Sequence, residues 1–369
     1  MSEHYIGLIS GTSMDGIDAA LVEFRPDSCR IIDARATAYD AVLRQRLEVA
    51  RNSPDEVTLD EFGTLNRDIG IAFARAALGL LQANELEPES VSALGSHGQT
   101  LRHRTDLSSP FTLQIGDPNT IAALTGVTTV ADFRSRDIAL GGEGAPLAPA
   151  FHDWLLRDRS ANLAVVNLGG FANVTLLGAQ GSVAGFDTGP ANCLLDCWAR
   201  TECGLPCDKD GQLAATGIVN EVLLHLLLSD PYFRKSPPKS TGFEYFNLDW
   251  LEKNAAGHLE SMSINDTLAT LTELSARSVA AALARFGRNL KAVYLCGGGV
   301  HNPILCRHIK KALGETSVQT TRAIDIDPDW VEAALFAWLA RERLANRPGN
   351  LPSVTGASEQ AVLGAIYAK

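Results

Sequence analysis

The sequence predicts an α/β protein made of two related domains with a ligand-binding cleft between them. The chain has 369 residues, roughly twice the usual length of one domain, and the same order of three β-prone segments with a glycine turn after the first occurs in it twice. Its 46% apolar and 20% charged residues are typical of a globular protein with a large buried core. We expect residues 1–140, completed by residues 357–369, to form the N-terminal domain, and residues 141–356 to form the C-terminal domain.

The first repeat begins with an apolar segment, residues 5–10, which stops at a glycine. A second β-prone segment follows at residues 17–24 and a third at residues 29–38, so the first two strands flank the turn GTSMDG. Two helices are then expected, over residues 41–51 and 59–83. In the longer helix, apolar side chains recur at steps of three and four residues, which gives it one buried face.

The second repeat has the same order of elements. Its strands are predicted at residues 162–167, 172–177 and 182–186, with Leu-Gly-Gly between the first two and Asp187 directly after the third. A helix over residues 191–201 follows and is opened by a proline. Because a repeated unit indicates related domains that face each other, the cleft between them is the natural place for a ligand.

The rest of the chain contributes further elements and two loops. The predicted elements are helices over residues 264–286, 304–313 and 330–343 and a strand over residues 291–296. Residues 346–356 are rich in proline and glycine, which predicts a surface loop. The segment 230–247 is too long to be a simple connection, and we interpret it as a functional loop or a dimer contact.

Three glycine-rich turns are candidates for a nucleotide site, the first two by binding phosphate through their backbone N–H groups and the third by letting its bare backbone lie against an adenine or ribose. The first adds the hydroxyl groups of Thr12 and Ser13, although its sequence also suits a plain β-hairpin. The second occupies the matching place in the second repeat, and a nucleotide in a cleft needs amides on both sides of its phosphates. The third lies between a strand and a helix. The candidate residues are Gly11, Thr12, Ser13, Met14, Asp15, Gly16, Ile17 and Asp18 in the first turn, Asn167, Gly169 and Gly170 in the second, and Gly297, Gly298 and Gly299 in the third. The chain lacks the G-x4-G-K-[ST] loop, which excludes a P-loop enzyme.

Asp187 is the candidate general base. It lies in GFDTGPAN at the predicted end of a strand that faces the cleft, where a carboxylate is well placed to accept a proton. The alternative is that Asp187 caps the following helix or stabilises the turn.

Three further side chains are candidates for binding a substrate. His97 lies in SHGQT, a predicted polar loop after a strand, where a lone histidine is more often structural. Arg134 would form a bidentate ion pair with a substrate carboxylate, or else a salt bridge with Asp132 or Asp137. Glu332 begins a late helix, where it would reach the cleft or only complement the helix dipole.

Charge and composition exclude several classes of partner. A formal net charge of −11 argues against nonspecific binding to nucleic acid or to an anionic membrane. The chain has no apolar run long enough to span a bilayer and no signal-peptide pattern at its start, so a cytoplasmic protein is expected. Seven cysteines, without the C-x2-C spacing of zinc ribbons, predict reduced thiols. The sequence leaves a homodimer open.

Taken in order, the motifs of the chain resemble those of the anhydro-N-acetylmuramic acid kinases of peptidoglycan recycling. The motifs are GTSMDGID, SHGQT, ADFR with GGEGAPL, VNLGGFANVT, GFDTGPAN, PPKSTGFEYFN, CGGGVHNP and DWVEAALFAW, and they extend over nearly the whole chain. The resemblance implies two ribonuclease-H-like domains of the kind found in sugar kinases, Hsp70 and actin. The chain departs from the family pattern at Ala191, where glycine is expected, and at Met14, where leucine is expected.

The resemblance also implies an activity and assigns roles to residues. ATP would drive the opening of the 1,6-anhydro ring by water, and the product would be N-acetylmuramic acid 6-phosphate. The implied roles are the ATP phosphate loop for residues 11–18, the rest of the nucleotide site for residues 167–170 and 297–299, the catalytic base for Asp187, and sugar binding for His97, Arg134 and Glu332. Mg²⁺ would accompany ATP, with Asp15 as an indirect partner. The alternatives are an ordinary ATP-dependent sugar kinase on the same fold and a non-catalytic ATP-binding sensor or assembly protein.

Overall fold

The chain folds into two compact units. The computed structural model describes residues 3–11, 14–157, 159–255 and 257–369. Unit 1 consists of Met1–Leu155 and Trp330–Lys369, and unit 2 of Leu156–Asp329. The first unit therefore ends after residue 155 rather than 140. The chain returns to it at residue 330 rather than 357, because a helix that begins there packs on the first sheet.

The strands in chain order are β1 (Glu3–Ser10), β2 (Gly16–Phe24), β3 (Cys29–Ala38), β4 (Val91–Arg104), β5 (Phe111–Ile115), β6 (Thr129–Ala131), β7 (Asn162–Leu168), β8 (Phe171–Leu177), β9 (Val183–Pro190), β10 (Leu290–Cys296), β11 (Ser317–Thr320) and β12 (Ala365–Tyr367).

The α-helices in chain order are α1 (Ala41–Asn52), α2 (Leu59–Ala83), α3 (Pro118–Thr125), α4 (Ser135–Ala139), α5 (Ala148–Leu155), α6 (Asn192–Cys203), α7 (Glu221–Leu228), α8 (Pro231–Arg234), α9 (Leu248–Ala255), α10 (Ile264–Phe286), α11 (Pro303–Leu313), α12 (Val331–Leu344) and α13 (Pro352–Thr355).

Unit 1 is built on a sheet with the strand order β12-β6-β4-β1-β2-β3, and β5 pairs with the C-terminal part of β4. β1, β2 and β3 form an antiparallel meander, whereas β4 runs parallel to β1 and β6 runs parallel to β4. Apolar side chains of β1 and β2, including Ile6 and Leu21, form one core with those of α1 and α2, such as Leu47 and Phe73. Burial of this continuous apolar face holds the two helices on the sheet.

Helix α12 packs against β1 and β4 at two strand glycines. A Cβ atom added to Gly7 would lie 1.8 Å from the carbonyl oxygen of Ala333, and one added to Gly95 would lie 1.9 Å from that of Phe336. Successive residues of a strand point to opposite faces, so Gly7 points away from the face on which Ile6 and its partners meet α2. The missing side chains let the helix backbone rest directly on the strands.

Unit 2 repeats the topology of unit 1. Its sheet has the order β11-β10-β7-β8-β9, in which β7, β8 and β9 form an antiparallel meander, β10 runs parallel to β7, and β11 runs parallel to β10. The same order and directions describe β6-β4-β1-β2-β3 in unit 1. The predicted α/β class and the duplicated unit are therefore confirmed. One apolar core joins this sheet to α10 and α11, and a second joins α6, α7, α9 and α10.

Three local predictions were wrong. Residues 96–100 lie inside β4 rather than in a loop after it, and the side chains of Ser96, His97 and Gln99 are buried. β9 continues through Asp187 to Pro190, and α6 begins at Asn192. A proline is tolerated at the end of β9 because this strand forms the edge of the sheet. Residues 346–356 are not a plain surface loop, since the side chain of Asn350 is buried.

Within the described residues, none of the helices combines the length and the apolar character that crossing a membrane requires.

Candidate active site

The first glycine turn is attached to β4 by polar side chains. Thr12 and Ser13 lie outside the described residues. The hydroxyl oxygen of Ser10 lies 2.6 Å from the side-chain oxygen of Gln99 and 2.7 Å from the carbonyl oxygen of Gly16, and Gln99 Nε2 donates to the carbonyl of Gly11 at 3.3 Å. These bonds fix both ends of the turn. Ser10 and Gln99 therefore position the turn, a role that the sequence assigned to neither.

The described side chains of the first turn differ in whether they are accessible to a ligand. Met14 and Ile17 are buried in the apolar core of unit 1, so only their backbone can contact a ligand. Met14 has a φ of 53°, in the left-handed region, and its N–H group donates to the carbonyl of Gly11 at 3.2 Å. The Asp15 side chain is exposed and that of Asp18 is half-buried.

The second and third glycine turns lie together in unit 2. A Cβ atom on Gly297, which has a φ of 78°, would lie 2.1 Å from Oδ1 of Asn167, so the close approach of the two turns requires glycine. The carbonyl of Gly170 accepts the N–H of Cys193 at the start of α6. Gly170 and Gly298 are exposed, and nothing lies within 4 Å of a Cβ added to Gly298. Both turns thus present bare backbone to solvent.

Asp187 is held on three sides by the segment 230–247. Its N–H donates to the carbonyl of Lys239 at 3.0 Å, its carbonyl accepts the hydroxyl of Tyr232 at 3.0 Å, and its Oδ2 accepts the N–H of Thr241 at 2.9 Å. The side chain is half-buried. The carboxylate therefore has a fixed orientation and remains accessible, as a general base must. Helix α6 has no side-chain cap, so the alternative that Asp187 caps it was wrong.

Lys239 brings a positive charge near Asp187. Its Nζ lies 4.5 Å from the centre of the Tyr232 ring. Burial, helped by the charge of Arg285, lowers the pKa of Lys239, and Asp187 opposes this shift. Lys239 is not among the candidates that the sequence predicts. Its place in the motif PPKSTG is the signal that could have identified it.

His97, Arg134 and Glu332 are brought together in unit 1. Arg134 Nε donates to Nε2 of His97 at 3.0 Å, and Nδ1 of His97 lies 3.0 Å from the carbonyl of Gly98. An arginine can only donate, so Nε2 is the acceptor and Nδ1 carries the proton. Burial and the Arg134 charge hold the pKa of His97 well below its usual value, so the ring is neutral at neutral pH. The ring packs on Phe336, with 4.6 Å between centroids.

Arg134 is oriented by its surroundings. Its Nη1 donates to the carbonyl of Gly144 at 2.8 Å. Burial lowers the pKa of Arg134 to about 10, and Glu332 and Asp137 oppose the shift, so the guanidinium stays charged. Although much of the Glu332 side chain is exposed, partial desolvation raises the pKa of its carboxyl group, and the charge of Arg134 opposes this shift.

Asp137 stabilises the loop that contains Gly144, to which Arg134 donates. It does not form the salt bridge with Arg134 that the sequence offered as an alternative. Its side chain is fully buried. Oδ2 accepts the N–H of Gly144 at 2.8 Å, and Oδ1 accepts Nδ2 of Asn350 at 2.6 Å and the hydroxyl of Thr355 at 2.8 Å. Sequence reasoning missed this role, because Asn350 and Thr355 are more than two hundred residues away.

The described residues contain no group of three or more His, Cys, Asp or Glu side chains that could hold a metal ion. Magnesium needs no such group, since it keeps several waters and binds through one or two carboxylates and substrate phosphates. The exposed carboxylate of Asp15 on the first glycine turn fits that requirement. All seven cysteines are free thiols.

Comparisons with known proteins agree with the motifs. The family model described as anhydro-N-acetylmuramic acid kinase matches residues 3–369. An anhydro-N-acetylmuramic acid kinase of Coxiella burnetii (strain RSA 493 / Nine Mile phase I) is 51% identical over 367 residues, which cover 99% of this chain and 97% of the relative. A protein of the same name from Xanthomonas axonopodis pv. citri (strain 306) is 49% identical over 366 residues, 98% of this chain and 97% of the relative.

Solved structures give more distant similarities. A glucokinase of the ROK family from Streptomyces griseus, in complex with glucose and AMPPNP, is 14% identical, with a TM-score of 0.41 over 92% of this chain and 99% of that chain. An activator of the 2-hydroxyisocaproyl-CoA dehydratase from Clostridium difficile is 13% identical, with a TM-score of 0.47 over 93% and 97%. The family model and the relatives at about 50% identity confirm the resemblance in the motifs. The chain belongs to the anhydro-N-acetylmuramic acid kinase family.

Proposed function

We propose that the protein is an ATP-dependent kinase that opens the 1,6-anhydro ring of anhydro-N-acetylmuramic acid with water and forms N-acetylmuramic acid 6-phosphate during peptidoglycan recycling. The observation that carries this proposal is the match to the family model over residues 3–369, together with relatives of that name at about half identity. Use of ATP and of a recycled sugar favours a cytoplasmic enzyme.

Asp187 is the proposed base. Its oriented carboxylate takes a proton from a water molecule while the water oxygen forms a bond to C1 of the sugar. The bond between C1 and O6 breaks, O6 takes the γ-phosphoryl group, and ADP leaves. Inverting glycosidases need a second carboxylic acid to protonate the leaving oxygen. Here the phosphoryl group captures that oxygen, so one carboxylate is sufficient.

Arg134 is the proposed contact for the lactyl carboxylate of the sugar. Its Nε and Nη1 are engaged by His97 and Gly144, and no described residue accepts a hydrogen bond from its Nη2. A charged guanidinium whose Nη2 keeps its donors is suited to a carboxylate. The Glu332 carboxyl group, which lies beside Arg134, would contact hydroxyl and amide groups of the sugar. The neutral His97, whose two ring nitrogens bind Arg134 and Gly98, would serve sugar binding by orienting Arg134.

The glycine turns are the proposed ATP site. In the second and third turns exposed backbone faces solvent without side chains in the way. Backbone amides in that setting bind phosphate oxygens, and residues 11–18 are the proposed third part of the site by their motif. Mg²⁺ would be held by the phosphates and, through water, by Asp15, where it would neutralise charge on the transferred group. A homodimer, which the sequence leaves open, is tested by light scattering of the purified protein.

One experiment separates this function from an ordinary sugar kinase and from a non-catalytic ATP-binding protein. The protein is incubated with ATP, Mg²⁺ and anhydro-N-acetylmuramic acid in ¹⁸O-labelled water, and the product is identified by mass spectrometry. We expect a phosphorylated sugar with the heavy oxygen at C1. A phosphorylated sugar without it would support the ordinary kinase, and no product would support the non-catalytic protein.

Asp187→Asn tests the base. The amide cannot take the proton of water, so turnover should fall about 100- to 10,000-fold while ATP binding changes little. Asp249→Asn is the matched control, because Asp249 is an exposed carboxylate in unit 2 that starts α9. If Asp187→Asn kept a turnover within about tenfold of the parent, the assignment of the base would be wrong.

A further inference from the structure

The segment 230–247 begins at a buried carboxylate that the proposed reaction does not use. Asp230 is 8% exposed. We propose that Asp230 is a positioning residue for Asp187: it closes the loop that holds Asp187 and so fixes the direction of the Asp187 carboxylate. This inference rests on the proposed role of Asp187 as the base.

Asp230 joins the two ends of the loop. Its Oδ1 accepts the N–H of Tyr232 at 2.8 Å and the hydroxyl of Tyr245 at 2.7 Å, and its Oδ2 accepts Nε1 of Trp250 at 2.9 Å. Tyr232 lies at the start of the loop, whereas Tyr245 and Trp250 lie at its end and in α9. Burial, and then the contact with Asp230, raises the pKa of Tyr245 to about 12, so its hydroxyl remains a donor.

The loop in turn holds Asp187 through residues between those two ends. Tyr232 donates its hydroxyl to the carbonyl of Asp187, and Lys239 accepts the N–H of Asp187. The N–H of Thr241 donates directly to Oδ2 of the Asp187 carboxylate. A shift of either loop end would therefore move the donor that orients the reacting oxygen.

Aromatic packing makes the connection rigid. The Tyr232 ring is buried and meets the ring of Phe246 edge-on with 5.2 Å between centroids, and Phe246 meets Trp250 edge-on at 4.8 Å. Such pairs have restricted geometry. The hydrogen bonds of Asp230 consequently set the position of the loop as a whole rather than that of one side chain.

A carboxylate suits this place better than an amide of the same shape. All three groups that bind Asp230 donate a hydrogen bond. An ionised carboxylate can accept all three, because it has only acceptor atoms. In Asp230→Asn the NH₂ group would face either Nε1 of Trp250 or the N–H of Tyr232, and neither can accept a hydrogen bond. One of the three hydrogen bonds would therefore be lost whichever way the amide turns.

The test uses variants that remove one hydrogen bond each and keep an aromatic side chain. Tyr245→Phe removes the hydroxyl donor, and Trp250→Phe removes the indole donor. Trp198→Phe is the matched control, because Trp198 packs against the same apolar cluster and its Nε1 makes no hydrogen bond with a described residue. Both test variants should lower kcat by about 10- to 100-fold, a loss typical of a reacting group displaced by about 1 Å, and should leave the KM for ATP unchanged. Trp198→Phe should keep its kcat.

Two further readouts separate positioning from a general structural role. Amide hydrogen exchange of a peptide that contains Thr241 should become faster in Tyr245→Phe and Trp250→Phe but not in Trp198→Phe. In the Asp187→Asn background, Tyr245→Phe should lower the residual turnover no further, because there is no base left to orient.

The outcomes are distinguishable. If Asp187→Asn is inactive while Tyr245→Phe and Trp250→Phe keep the kcat and the Thr241 exchange of the control, the positioning role is refuted and the proposed function stands. If Tyr245→Phe lowers turnover equally with and without Asp187, the role is structural and the inference is also refuted. If Asp187→Asn stays active, the proposed base is refuted, and the positioning role falls with it.

Discussion

Helix α12 lies so close to the sheet of unit 1 that one added methyl group at a strand glycine should destabilise the protein. Gly95→Ala would place a Cβ atom 1.9 Å from the carbonyl oxygen of Phe336, where ordinary contact begins at 3.4 Å. The helix would have to withdraw by about 1.5 Å at that point. Neither the added methyl group nor the Phe336 carbonyl group can move to another rotamer. A local change of side-chain conformation therefore cannot relieve the strain.

The stability cost of Gly95→Ala follows from two opposing effects. Overpacking of this kind lowers the free energy of unfolding by about 3 kcal/mol. The lower entropy of the unfolded chain returns roughly 0.5–1 kcal/mol, so we expect a net loss of about 2 kcal/mol. Turnover should also fall, by about 100-fold, because the same turns of α12 carry Glu332 and the Phe336 ring that packs on His97.

The assay is urea unfolding followed by circular dichroism, with hydrogen exchange of α12 to locate the change. Gly63→Ala is the matched control, because nothing lies within 4 Å of a Cβ added there. In α2 that substitution should raise stability by up to about 1 kcal/mol. Unfolding of Gly95→Ala at the urea concentration of the parent, with unchanged protection of α12, would show that the close contact between α12 and β4 does not limit stability.

Three other variants test charged and titratable groups. Arg134→Lys should raise the KM for the sugar at least about tenfold without changing that for ATP, because an ammonium group cannot reach His97 and the carbonyl of Gly144 together; steady-state kinetics measure both. Asp137→Asn should lower the free energy of unfolding by about 2–3 kcal/mol in urea titrations, since one of its buried donors would face an NH₂ group. Burial lowers the pKa of His152 from 6.5 to about 4. The unfolded chain therefore takes up this proton first as the pH falls, and the stability present above pH 6.5 should decrease by about 3 kcal/mol down to pH 4. His152→Phe should lack this component when unfolding free energies at pH 7 and pH 5 are compared.

Elements with a clear periodic pattern and a cap were predictable from the sequence. β3, α2 and α10 have the predicted bounds. The two helices begin after Thr58 and Ser263, whose side chains accept the N–H of Glu61 and Asp266. A local signal marks such boundaries, so no knowledge of distant contacts is needed.

Elements that depend on distant partners were not predictable. SHGQT reads as a loop because it is polar, yet it lies in the middle of β4, where Gln99 meets Ser10 across the sheet. Asn350 lies in a stretch rich in proline and glycine, and its burial follows from its contacts with Asp137, Glu359 and Ala361. Asp187 differs, because its neighbours in sequence identify it as a candidate. The residues that orient it come from the segment 230–247, which the sequence marks only as a functional loop or a dimer contact.

Asp137 and Asp230 solve the same physical problem in different units. Each is a buried carboxylate with three donors from the protein, and each holds a loop whose backbone contacts a proposed functional side chain: Gly144 contacts Arg134, and Thr241 contacts Asp187. Unpaired, such a buried charge would be costly, but three donors compensate for the lost hydration. A carboxylate accepts all of them at once, whereas a neutral amide must present a donor to one of them. The loops are therefore fixed by acceptors that contact no ligand, and Arg134 and Asp187 retain the atoms that the proposed reaction needs.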